Sequence, residues 1–426
     1  MSLKISNFII PIQVLATLAT PLFFSIMAIL NIDYEGADSS PVFIIYMGTI
    51  AILSLISYIF SCIQSGFLKQ ELFLILILGF IVSTHFLWVI FDPIKTKLFT
   101  NSFIFFVIIG LPGFFAAASA IKLRKLGFFI KLIEVAVLII ALGLISYSVL
   151  PTIAGISTRS LAGATYQTLS YYSAFCFGVL LTYINVIPFK YRFGVAALKP
   201  YLIFTYVILF LCLVGTLLGG GRGALILLII YLTVYMSTFI RIKNWISSSS
   251  KAINNLLKLT SILILFVIFI ISFWEKEFIQ SGLNRATQFI SSDGTIDLES
   301  GSSGRDVVYT EALSFINKHP YRGYGPFGAL DNTIQAHNIF LDIVLQFGYF
   351  GLFMCLIGIL CLIITAFRNW SVISSWAFSL MLYPIIMLMF SGYYMHTAIF
   401  IFGISFFSIY RLDKNRNLIN IRNIKP

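Results

Sequence analysis

The chain is short of charge: only 10% of its 426 residues are Asp, Glu, Lys or Arg. It is also short of the residues that build familiar catalytic and metal sites. It has four histidines and five cysteines, and no CxxC, HExxH or GK[ST] string. Zinc sites with paired cysteines, helical zinc-protease sites and Walker-type phosphate loops are thereby excluded. The cysteines (Cys62, Cys176, Cys212, Cys355 and Cys361) all fall in apolar runs, so no structural disulfide is expected. Strict alternation of apolar and polar residues is missing from runs such as 103–109 and 262–271, which excludes a transmembrane β-barrel. A soluble domain could not hide a chain that is 59% hydrophobic. The class that remains is an all-α, polytopic membrane protein.

Twelve apolar segments are each near the ~20 residues that a helix needs to cross a bilayer. They are 9–30, 42–63, 72–91, 98–120, 128–150, 166–187, 200–218, 224–240, 258–274, 349–367, 371–391 and 396–410. Lys4 precedes the first, no small-residue cleavage site stands out, and that span is expected to be retained. The formal net charge of +12 could suggest a nucleic-acid partner, but the positions of the charges argue against one. With the N-terminus in the cytoplasm, the inner segments and adjoining span ends carry 19 of the 28 Lys and Arg. The excess is a topology signal, and it places both termini inside. The expected organisation is 1–274 with spans one to nine, 275–348 as an external loop domain with short helices, and 349–426 with spans ten to twelve and a basic tail. Membrane lipids are the surrounding partner, and the many Phe and Tyr side chains serve packing and the interface belts.

What the chain does have is a polar island, residues 275–337, with no stretch long enough to cross a membrane. It holds Lys276, Arg285, Arg305, Lys318, His319, Arg322 and His337. Residues 291–304 (SSDGTIDLESGSSG) predict a mobile loop. Val308, Ala312, Phe315 and Ile316 then recur at helical spacing, which predicts a helix over 305–318 ended by His319-Pro320. A turn-rich stretch follows, and His337 opens a short helical run over 338–346, stopped by Gly348 and Gly351.

Arg222 lies in Gly219-Gly220-Gly221-Arg222-Gly223 between two apolar runs. A glycine turn can expose amides that cradle an anion, and an arginine adds a fork suited to phosphate. The competing reading is a tight hairpin whose arginine reaches lipid headgroups. Arg305 could bind a ligand or pair with Asp306 or Glu311. Arg285, Arg322 and Arg159 could bind a ligand or be solvated. His337 has no ligand-spaced neighbours, so no metal is expected there; its imidazole suits a general base or a structural cap. Asp342, in an apolar helix, needs a hydrogen-bond partner.

Three segments together resemble the O-antigen ligase and polymerase superfamily: GGGRGALILLIIYL, SGRDVVYTEALSFINKHPYRGYGPFGAL and AHNIFLDIVLQFGYFG, between about Gly219 and Gly351. The first two hundred residues match only in hydropathy and span number. The resemblance implies an inverting, metal-independent glycosyltransferase of the bacterial inner membrane, with its active site facing the periplasm and no cofactor. It implies that Arg222 and Arg305 hold the pyrophosphate of an undecaprenyl-pyrophosphate-linked oligosaccharide. It also implies that His337 activates the hydroxyl of an acceptor glycolipid. Gly221, Arg159, Arg285, Tyr321, Arg322 and Tyr324 are further substrate-binding candidates. The acceptor is another lipid-linked repeat in a polymerase, with a chain-length-regulating co-polymerase as a candidate partner, or the lipid A core in a ligase. The polymerase reading is favoured. A lipid-linked sugar flippase is the alternative of another class, but the span interiors are nearly free of the charges that transporters keep at mid-membrane.

Overall fold

Apolar backbone without water can satisfy its N–H and C=O groups only within a helix, and the described residues form helices throughout. The computed structural model describes residues 2–32, 40–91, 102–156, 161–162, 164–194, 198–243, 249–287, 305–326, 336–368 and 371–410. The expected mobile loop at 291–304 and Arg159 lie outside them.

The helices in chain order are α1 Ser2–Thr17, α2 Ala19–Ile29, α3 Pro41–Ser65, α4 Lys69–Phe91, α5 Ser102–Lys122 and α6 Leu126–Ile153. They continue with α7 Tyr166–Asn185, α8 Lys199–Gly219, α9 Arg222–Lys243, α10 Ser249–Ser272, α11 Glu277–Thr287 and α12 Arg305–Lys318. The last are α13 Ile339–Arg368, α14 Val372–Phe390 and α15 Ala398–Tyr410. In its described residues, each of the twelve expected spans overlaps a helix. Among the described residues, however, only seven helices are long and apolar enough to cross a membrane alone, or eight if the bent pair α1–α2 counts as one span.

Two differences from the expected spans have clear causes. Segment 9–30 is bent by 84° between α1 and α2. Pro21 has no N–H for the Thr17 carbonyl, so that rung of the ladder is lost where Leu18 (φ −112, ψ 20) departs from helical geometry. Helix α7 is less apolar than a lipid-facing span because it touches little lipid. Fourteen of its 20 residues are buried, among them Ser170, Ser173, Tyr171, Tyr172 and Tyr183. It sits among α6, α8, α9 and α14. Its polar groups find partners there: Trp376 Nε1–H donates to the Tyr183 hydroxyl at 2.9 Å, which donates to the Ile130 carbonyl at 2.5 Å. By contrast, α13 and α4 keep most of their apolar side chains exposed.

One end of this bundle is closed by two buried ion pairs. Lys122 Nζ lies 2.6 Å from Glu71, whose carboxylate also accepts from the Tyr58 hydroxyl at 2.5 Å and the Leu68 amide at 2.9 Å. Arg192 holds Glu134 through Nε and Nη2 at 3.0 and 2.9 Å. Glu134 further accepts from the Phe193 amide at 2.7 Å and the Tyr201 hydroxyl at 2.9 Å. Charges removed from water persist only when paired and hydrogen-bonded, and both carboxylates meet that condition. Helix α8 starts beside this end, so its C-terminus and the glycine turn lie at the opposite one.

Candidate functional site

The turn between α8 and α9 is fixed by α7. Gly220 adopts φ 61, ψ 22, a left-handed cap that suits glycine, and its amide donates to the Leu217 carbonyl at 2.9 Å. The Gly221 amide donates to Ser170 Oγ at 2.9 Å, and Ser170 Oγ donates to the Thr216 carbonyl at 3.1 Å. Two amides of the glycine turn are therefore already paired within the fold. At Gly223 a Cβ atom would collide with the Tyr171 hydroxyl and press on the Phe390 ring, so only glycine lets α9 come this close to α7 and α14. Arg222, half-buried, begins α9 at this contact.

Arg305 begins α12 and reaches the same place from another direction. Its Nη2 donates to the Phe390 carbonyl at 2.7 Å, at the C-terminus of α14, and its guanidinium lies 5.6 Å from the Phe390 ring centroid. Burial first, and the charge of Arg305 second, push the Arg222 guanidinium below the ordinary arginine value. Arg305 also acts on Tyr171 and on His337. One guanidinium thus stands within electrostatic reach of both other members of the expected trio.

His337 sits just before α13, in a left-handed conformation with φ 50. Its Nδ1 is buried and has no hydrogen-bond partner among the described residues. Burial first, and the charge of Arg305 second, hold its imidazole below the ordinary value, so the ring is neutral at neutral pH. Asn338 caps the helix, its Oδ1 accepting from the Phe340 and Leu341 amides at 3.0 and 3.3 Å.

The other candidates are placed differently. Tyr321 and Arg322 are exposed on the turn that follows α12. Tyr324 packs edge-on against Phe315 and His319, and its hydroxyl donates to the Phe315 carbonyl at 3.1 Å. That turn docks onto the first part of α13 through the break at Gly348 (φ 66, ψ −175). The Tyr349 amide bonds the Pro320 carbonyl at 2.7 Å, while the Leu345 and Gln346 carbonyls accept from Tyr324 and Gly325, each at 2.8 Å. The helix runs straight through Gly351. Arg285 lies on α11, which packs beside the glycine turn with Gly282 against Leu217, but its side chain is outside the described residues.

Sequence reasoning missed the residues that support the site. Ser170, Tyr171 and Phe390 touch the turn or Arg305, and His85 of α4 hydrogen-bonds the Pro326 carbonyl. All four lie in apolar runs, where nothing local separates a supporting polar group from a packing one. Gln346 was equally silent: it hydrogen-bonds the Tyr393 hydroxyl and accepts from Tyr394 at 2.8 Å, tying α13 to the loop after α14.

Residues 207–356, 150 of the 426, match the family model described as O-antigen ligase, and no curated protein and no solved structure matches the chain. The matched stretch contains Arg222, Arg305 and His337, and leaves out Arg159.

Proposed function

From a chain that carries an O-antigen ligase family domain over residues 207–356, we propose an O-antigen polymerase of the bacterial inner membrane. In this reading the polar end of the bundle faces the periplasm and the ion-paired end faces the cytoplasm. The donor is a glycan on undecaprenyl pyrophosphate, and the acceptor is the non-reducing end of a lipid-linked repeat unit. The observation that supports the reading is that Arg305, bonded to the Phe390 carbonyl beside the glycine turn, stands within electrostatic reach of both Arg222 and a neutral His337.

Each group then has a task. The acceptor hydroxyl oxygen attacks the anomeric carbon from the face opposite the pyrophosphate, and configuration inverts. His337 takes the hydroxyl proton as the new C–O bond forms, and later releases it to water. The old bond from the anomeric carbon to oxygen breaks, and its electron pair goes to the leaving pyrophosphate. Arg222 and Arg305 stabilise that growing charge. Because the amides of Gly220 and Gly221 are occupied, the arginine side chains carry most of this stabilisation. A diphosphate that reaches both guanidinium groups gains from each.

A second reading, transfer to the lipid A core, is favoured by the description of the matching family itself. Deleting the gene and examining surface lipopolysaccharide separates the two. The polymerase reading predicts core bearing a single repeat. Core with no repeat at all overturns it in favour of the ligase. Purified protein mixed with lipid-linked repeats should also release undecaprenyl pyrophosphate, which a flippase would not do.

A further inference from the structure

His337 holds a backbone conformation that a non-glycine residue adopts only when its surroundings enforce it. The enforcement comes from the first turn of α13, on both sides of the histidine. After it, Asn338 caps the helix and its carbonyl accepts the Asp342 amide at 2.9 Å. Before it, the buried amide of Ala336 donates to the Asp342 side chain. Asp342 is only 3% exposed, although it is a carboxyl group on an otherwise apolar helix. Its position in the first helical turn suits an acceptor, because the amides at a helix start lack partners within the helix. One turn further on, Gln346 ties the same helix face to Tyr393 and Tyr394, so the turn that carries Asp342 is itself anchored.

We infer that Asp342 is the positioning residue for His337: by accepting the Ala336 amide it closes the left-handed turn that aims the imidazole at the Arg222–Arg305 rim. The inference rests on His337 acting as the base in the proposed transfer. The role is geometric. The influences on the His337 ring are burial and Arg305, and an acceptor atom at position 342 is what the turn requires. An asparagine Oδ1 supplies that acceptor without charge. A glutamate supplies charge but sets the acceptor one methylene away.

The test uses full-length purified protein and undecaprenyl-pyrophosphate-linked oligosaccharide extracted from cells lacking the gene. Asp342→Ala is expected to lower kcat by about 100-fold, the cost of misplacing a reacting group by about an ångström, while the KM for donor stays within about twofold. Asp342→Asn is expected to stay close to the parent, and Asp342→Glu to fall between Asn and Ala. The order Asn above Glu carries the inference even if the alanine protein does not accumulate. Glu above Asn, full kcat in the Ala variant, or a loss confined to donor KM overturns it. His337→Ala is run in parallel. Full transfer by that variant sinks the role of His337, and hence the reading beneath. An inactive His337→Ala beside a fully active Asp342→Ala sinks the inference alone.

Discussion

The two ends of this bundle treat positive charge in opposite ways. At one end Lys122 and Arg192 are buried, each 2.6–2.9 Å from a carboxylate that is further hydrogen-bonded. At the other, Arg222 and Arg305 are half-buried, and burial first and the charge of Arg305 second disfavour the charged form of Arg222. Arg305 is anchored by a carbonyl and an aromatic face, which hold it in place and leave its charge intact. The first arrangement is finished within the chain. In the proposed reading, the second receives the diphosphate of a lipid-linked donor. Residues of one type thus divide into structure and function by what faces them.

The largest expected effect lies at the Arg222 end. Arg222→Ala, Arg305→Ala and His337→Ala should each cut glycan transfer by about 100- to 1,000-fold, the usual loss on removing one preorganised stabiliser or base. Membrane levels and thermal stability should not move. Lysine at 222 or 305 should not restore activity, because a point charge does not reproduce a bidentate fork. Turnover assays beside melting curves check both statements. An arginine variant that melts early but turns over normally would place that arginine with the structural cations.

The opposite end should give the converse result. Arg192→Met leaves Glu134 buried without its counter-charge, a change that costs about 3–5 kcal/mol in comparable sites. The melting temperature should fall clearly, and the protein that remains folded should turn over at the parent rate. Lost activity at an unchanged melting temperature would erase the contrast between the ends.

The smallest effect is in the pH profile. His337 acts neutral, and its folded-state value is depressed, so protonation sets in only below the ordinary histidine value of about 6.5. Transfer should therefore hold through neutral pH and fall on an acid limb centred below that value. A limb at or above it would mean that the ring is not sheltered beside Arg305.

Much of the polar end is legible in the amino-acid sequence. The boundaries of α12, the start of α13 beside His337 and the break at Gly348 all follow from helical spacing, caps and glycine. The pairing of cations does not. Lys122 and Arg192 read as part of a topology signal, whereas their partners lie 51 and 58 residues away in sequence. The same blindness hides Ser170, Tyr171, Phe390 and His85. Periodicity reports which way a helix faces its surroundings; it does not report which distant hydroxyl or carbonyl will meet it there. The glycine turn misleads for a related reason, since one of its amides is consumed by a serine on another helix.

Affinity of the purified protein for undecaprenyl pyrophosphate itself, with no sugar attached, is the most direct probe of the arginine rim. Replacing Arg222 or Arg305 with alanine should weaken binding at least about tenfold, as loss of a charge-assisted hydrogen bond requires, while Arg192→Met leaves the affinity of the folded protein unchanged. Equal affinity in parent, Arg222→Ala and Arg305→Ala would contradict the account.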